Sequence, residues 1–136
     1  MIYVVIDTNV IVSALITKNP NAATTRVLEL ALMGEIVPLY DQDVLDEYLE
    51  VLTRKKFKLK EDSIQYIIKT ITINGIDTLR TSFLEDMPDE DDRVFYELSL
   101  SEPDSLLITG NSKHFPRTPR VVSPSEFLRI IEDNNT

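Results

Sequence analysis

Four places in this chain put oxygen-bearing side chains where an enzyme could use them. Asp7 stops an apolar run at residues 2–6, and Thr8 and Asn9 follow it. Asp89, Glu90, Asp91 and Asp92 stand at the start of an apolar helical pattern. Asn111 follows Gly110 after the run SLLIT. Glu47 lies at the border of the apolar stripe of a helix, with a small margin over Asp46, whereas Glu50 lies opposite. All are hard oxygen donors, and no soft donor accompanies them. Such a set suits Mg²⁺ or Mn²⁺. The chemistry that most often needs it is phosphodiester hydrolysis, in which metal ions bind the phosphate, lower the pKa of an attacking water and stabilise the leaving oxygen.

Each residue also has a plainer use. Asp7 can cap the helix that begins behind it. An acidic run such as 85–92 commonly forms a solvated loop that complements a helix dipole. On pattern alone Glu47 reads as a surface acid, and Asn111 as a turn residue. His114, beside Phe115 and Pro116, reads as a partly buried packing residue rather than a ligand. The basic stretch 54–60 reads as a solubilising connector.

The elements that must position these groups alternate. Residues 2–6 form a β-branched and aromatic run of the kind buried on both faces of a parallel sheet. A helix follows to residue 16, and another spans 22–33 with Gly34 as its C-cap. A strand is expected at 36–40, then a helix capped by Asp41 and running to about 54. The next helix starts at Asp62 or Ser63 and ends before Gly75. Residues 76–84 are weakly patterned and read as a short edge strand. A helix from about 90 to 102 ends at Pro103, and 105–109 and 120–122 are further strands. Ser123, Pro124 and Glu126 combine an N-cap, a first-turn proline and a capping-box acid ahead of the last helix. The expected fold is therefore α/β with three layers: a short parallel sheet of four to five strands with helices on both faces. One domain spans residues 1–136, since no repeat, low-complexity tract or long linker divides it.

Composition narrows the function. A net charge of −9 argues against a passive nucleic-acid-binding module. Yet five of the 14 basic residues fall at 54–60, and six of the eight residues at 85–92 are acidic. An acidic cluster filled with divalent cations can face a phosphate. With no cysteine and one histidine, thiolate and multi-histidine metal sites are ruled out or disfavoured. The absence of cysteine suits a reducing, cytoplasmic setting. The first apolar run is too short for a secretory signal, and no stretch approaches a membrane span. The three glycines complete no phosphate-binding loop, and no G-x-S-x-G is present. An aspartate-nucleophile phosphotransferase would want an acid at position 9, where Asn9 stands, and a response-regulator receiver fits no better.

Four segments together, VVIDTNVIVSAL, LYDQDVLDEYLEVL, PDEDDRVFYELSL and DSLLITGNSKHFP, resemble the PIN-domain family across nearly the whole chain. These are small metal-dependent ribonucleases that include many toxins of toxin–antitoxin pairs. The resemblance implies that Asp7, Glu47 and Asp92 are the acids that hold metal, with Asp91 a lesser alternative to Asp92. Where the family often has a fourth acid this chain has Asn111, which can ligate or position water but brings no charge. Thr8, Asn9, Ser13 and Thr109 would orient the ligands or the phosphate. RNA would be gripped by Arg54, Lys55, Lys56 and Lys113. A paired antitoxin would cover the acidic groove, and a homodimer is a common assembly in the family. The resulting expectation is a Mg²⁺- or Mn²⁺-dependent endoribonuclease of the toxin type. Its rival, prompted by Asn111, is a catalytically weak RNA- or protein-binding module on the same fold. A small phosphatase is a weaker third reading.

Overall fold

A computed structural model describes residues 1–134 of the 136-residue chain. Five parallel strands run in the order β3-β2-β1-β4-β5: β1 (Tyr3–Ile6), β2 (Val37–Tyr40), β3 (Ile76–Asp77), β4 (Leu106–Ile108) and β5 (Val121–Val122). Among the described residues six α-helices connect and surround them: α1 (Thr8–Ile16), α2 (Ala23–Leu32), α3 (Gln42–Leu52), α4 (Glu61–Asn74), α5 (Arg93–Leu100) and α6 (Pro124–Asn134). Val4, Val5 and Ile6 are all buried. Successive strand residues point to opposite faces, so both faces of the central strand are covered. This is the expected α/β architecture.

The strand order decides where a site can form. From β1 the chain winds to one side through β2 and β3, then crosses to the other side for β4 and β5. The switch point lies between the C-terminal ends of β1 and β4, and such a crevice is where open α/β sheets bind ligands. The β1–β4 register pairs Ile6 with Ile108. The residues that follow, Asp7 and Thr109, therefore emerge side by side.

Local chemistry explains most boundaries. The Asp41 carboxylate accepts the Val44 N–H at 2.9 Å and caps α3. Ser123 and Glu126 form the reciprocal capping box, at 3.1 and 2.9 Å. Gly34 takes a left-handed φ of 76° at the end of α2. At Gly75 a Cβ would lie 2.3 Å from the Pro38 carbonyl oxygen, so only glycine lets α4 end this close to β2.

Three elements differ from expectation. Helix α4 begins at Glu61, with Lys60 at the N-cap making no side-chain cap bond; Glu61 and Asp62 meet the helix dipole instead. The edge strand is only Ile76–Asp77; after one more backbone bond from Thr78 to Tyr40 the segment leaves the sheet and is held by scattered long-range bonds. Arg80 bridges Asp41 at 3.0 Å and Asp43 at 2.8 Å, Phe83 packs edge-on against Tyr96, and Arg93 donates to the carbonyls of Phe83 and Glu85. Finally, residues 90–92 form a separate 3-10 turn before α5 rather than its first turn. Among the described residues, no helix is long and apolar enough to cross a membrane.

Candidate metal centre and its cleft

Asp7 occupies the N-cap position of α1, yet its carboxylate makes no cap hydrogen bond. It accepts instead from the Thr109 hydroxyl at 2.7 Å. Only 4% of Asp7 is exposed. Burial pushes its carboxyl up to about 6 from the ordinary 3.8; the Thr109 hydrogen bond opposes this and the nearby Asp92 charge adds to it. Thr109 also accepts the Asn111 N–H at 3.0 Å, and the Asn9 side chain accepts from the Gly110 N–H at 3.4 Å. The ends of β1 and β4 are thus stitched together by the polar residues that follow each strand.

Glu47 reaches this place from α3. Val44, Tyr48 and Leu52 bury the inner face of that helix, and the Tyr48 hydroxyl donates to the Ile6 carbonyl at 2.5 Å. That anchor fixes α3 under the end of β1 and turns Glu47 toward the crevice. Asp46 and Glu50 are exposed, bonded to Gln42 and Arg54 on the outer surface. Burial raises the Glu47 pKa, and the charges of Glu50, Asp7 and Asp91 add to the rise while Arg54 lowers it.

The third wall is the turn before α5. Asp89 caps it, one carboxylate oxygen accepting the Asp91 N–H at 3.0 Å. Asp92 is half-buried and Asp91 exposed. Burial is the main cause of a raised Asp92 pKa; Asp89 and Asp91 raise it further and His114 lowers it.

Asp7, Thr8, Asn9, Glu47, Asp89, Asp91, Asp92, Asn111 and His114 line one cleft of about 320 Å³, together with the apolar Val12, Val51, Phe57 and Phe95. The expected acids and Asn111 are therefore brought together. Thr109 is buried directly behind Asp7. Ser13 is exposed on α1 and does not line the cleft. Arg54 pairs with Glu50 at 2.8 Å. Lys55 and Lys56 lie in a 3-10 turn at the cleft's edge, where the Lys56 ammonium sits 5.1 Å from the centre of the Phe57 ring. Lys113 lines a neighbouring hollow with Phe115, Pro116 and Arg117 rather than this cleft.

His114 departs from its reading as a packing residue. Its Nδ1 lies 3.0 Å from an Asp92 oxygen and 3.5 Å from an Asp89 oxygen. A 3-10 turn at Ser112–His114 carries it there, and Phe115, which follows, is the residue that packs into the core. Asp89 is the other polar cleft residue without an individual role in the sequence reading. Its one sequence signal was a place just ahead of three further acids, the spacing of an N-cap.

A divalent cation fits the residues present. Three carboxylates from three separate elements face one space, each pushed up by burial and by like charges, and a cation relieves both penalties. The Thr8 hydroxyl is buried in the same wall and finds no hydrogen-bond partner among the described residues. Compared with known protein families, residues 3–113 match the PIN domain. The chain belongs to the PIN-domain family. The matched segment takes in Asp7, Glu47, Asp92 and Asn111 and stops one residue before His114. No match was found among curated proteins or among solved structures. PIN domains are generally nucleases that use divalent metals, and the acidic cleft of this PIN domain provides a group that can hold one.

Proposed function

We propose that this PIN-domain protein is a Mg²⁺- or Mn²⁺-dependent endoribonuclease, and that Asp7, Glu47 and Asp92 hold the cation. The observation that carries the proposal is the convergence of these three acids, all with raised pKa, on the cleft at the β1–β4 switch point. A bound divalent ion would supply charge neutralisation at the phosphate and a lowered pKa for the attacking water. The chain's own side chains do the rest. Thr109 holds the Asp7 carboxylate in one orientation. Tyr48 and the buried face of α3 fix the distance of Glu47 from the strand ends. Asn111 offers the cleft a neutral amide where a further charge would repel the others, and it can orient water or a phosphate oxygen.

Substrate features are supported at the rim. Phe57 gives the cleft an aromatic wall with the Lys56 ammonium over its ring, and Lys55 and Arg54 are adjacent. An aromatic face beside cations suits an unpaired base and its backbone phosphates. Single-stranded RNA is therefore the proposed substrate. A toxin role in the cytoplasm, with an antitoxin covering the groove and a homodimer as the active assembly, completes the proposal.

The test is a substrate panel with Mn²⁺ or Mg²⁺: single-stranded RNA, duplex RNA, single-stranded DNA and a generic phosphomonoester. Internal cleavage of single-stranded RNA, abolished by EDTA, is the expected result. Hydrolysis of the monoester alone would overturn the assignment, as would cleavage that survives EDTA.

A further inference from the structure

His114 is the chain's one histidine, and nothing in the core requires it to face two acids. Its half-exposed ring instead turns back from the Ser112–His114 turn to meet Asp92 and Asp89. The Asp89 carboxylate is preset for this. One Asp89 oxygen is held by the Asp91 N–H, which leaves the other to point at the imidazole. The ligand atoms of Asp89, Asp92 and His114 all lie within 4.8 Å of one another. Ligands bound at about 2.1 Å stand about 3.0 Å apart across an octahedral edge and about 3.4 Å apart in a tetrahedron. The observed separations from Nδ1, 3.0 and 3.5 Å, have that spacing. A second, independent sign that the cleft awaits a ligand is Thr8: it is 6% exposed and its hydroxyl has no partner among the described residues.

We infer that Asp89, Asp92 and His114 form a nitrogen-containing cation position, through which this cleft holds first-row transition ions such as Zn²⁺ more tightly than Mg²⁺. The inference rests on the cleft being a divalent-cation centre, as proposed above, and adds to it a second position that shares Asp92 and has its own metal class. Imidazole favours Zn²⁺ and its neighbours, whereas Mg²⁺ prefers oxygen donors throughout. Ligation through Nδ1 requires the ring proton to sit on Nε2. The ion thus takes the place between Nδ1 and the Asp92 carboxylate that a proton can fill in its absence.

A lone histidine makes the test unambiguous. In full-length protein carrying ¹⁵N-labelled histidine, long-range proton–nitrogen NMR reports only the His114 ring. Added Zn²⁺ should move the Nδ1 resonance to the position of a metal-ligated nitrogen, saturating at one equivalent for this position, while equal Mg²⁺ leaves it in place. By calorimetry, His114→Ala should weaken Zn²⁺ binding at least about tenfold and change Mg²⁺ binding by less than about threefold, whereas loss of a residue that merely orients Asp92 would weaken both alike. Zn²⁺ binding with an unmoved ring and an unchanged Zn²⁺-to-Mg²⁺ ratio in the variant would overturn the inference and leave the cation centre standing. Absence of heat and of shift with either ion would overturn both.

Discussion

Asp7→Asn should make the metal-free protein more stable. The native carboxyl titrates near 6, whereas an ordinary aspartate titrates at 3.8. Between those values the native state holds a proton that the unfolded chain has released. Stability therefore falls as pH rises from about 4 to 6, and the deficit persists above it. Two units at about 1.36 kcal/mol each make the ionised Asp7 worth about 3 kcal/mol of lost stability at neutral pH. Asn has nearly the same shape and no charge, and its amide oxygen can still accept the Thr109 hydroxyl that Asp7 accepts at 2.7 Å. With an unfolding entropy of about 2.1 cal/mol/K per residue, 3 kcal/mol corresponds to about 10 °C in Tm for a chain of 136 residues. Thermal unfolding in EDTA, followed by circular dichroism at pH 4 to 8, would measure this. Wild type and variant should unfold together near pH 4 and separate toward pH 7, the variant being the more stable. Saturating Mg²⁺ should then raise the wild-type Tm by more than that of Asp7→Asn. A variant less stable than wild type at pH 7, or with the same pH dependence, would refute the claim that Asp7 is held ionised at a cost.

Other consequences follow from single contacts. Thr109→Val removes the hydrogen bond that lowers the Asp7 pKa, so carboxyl-detected NMR of the metal-free protein should find Asp7 titrating above about 6. Tyr48→Phe strips the buried donor from the Ile6 carbonyl and should cost about 1–3 kcal/mol in urea unfolding. Because that bond also seats α3 under β1, the same variant should weaken Mn²⁺ binding at Glu47. Ser123→Ala breaks the capping box of α6, whose residues do not line the cleft, and should cost about 1 kcal/mol with no change in metal affinity. Phe57→Ala should raise the KM for single-stranded RNA more than it lowers kcat, since the ring lines the cleft rim rather than the acid cluster.

Asp7 was legible in the sequence because two independent patterns fix it: an uninterrupted β-branched run that must be a buried strand, and a helix that starts at once behind it. Glu47 was only partly legible. A helical wheel places it near the apolar border, but the Tyr48 anchor that turns it inward is a tertiary contact 42 residues away in the chain. Asp92 and Asp91 look alike in sequence; a 3-10 turn capped by Asp89, rather than a regular first helical turn, leaves Asp92 half-buried and Asp91 exposed. From sequence His114 reads as a packing residue because Phe115 and Pro116 adjoin it. In the fold Phe115 alone takes the core position, and the turn sends His114 to Asp92, 22 residues earlier, and to Asp89. The segment 78–86 carried no periodic signal, since what holds it is a scatter of long-range bonds from Arg80, Arg93 and Glu97.

The central claim, that the acidic cleft of this PIN domain cuts RNA with a divalent ion held by Asp7, is tested most directly by single-turnover cleavage of a labelled single-stranded RNA. Wild type and Asp7→Asn would be compared across a Mn²⁺ titration, with folding of both checked by circular dichroism. The account predicts a rate that rises with Mn²⁺ and saturates in wild type, is lost in EDTA, and falls at least about a hundredfold in Asp7→Asn. Equal rates in the two proteins at every Mn²⁺ concentration would contradict it.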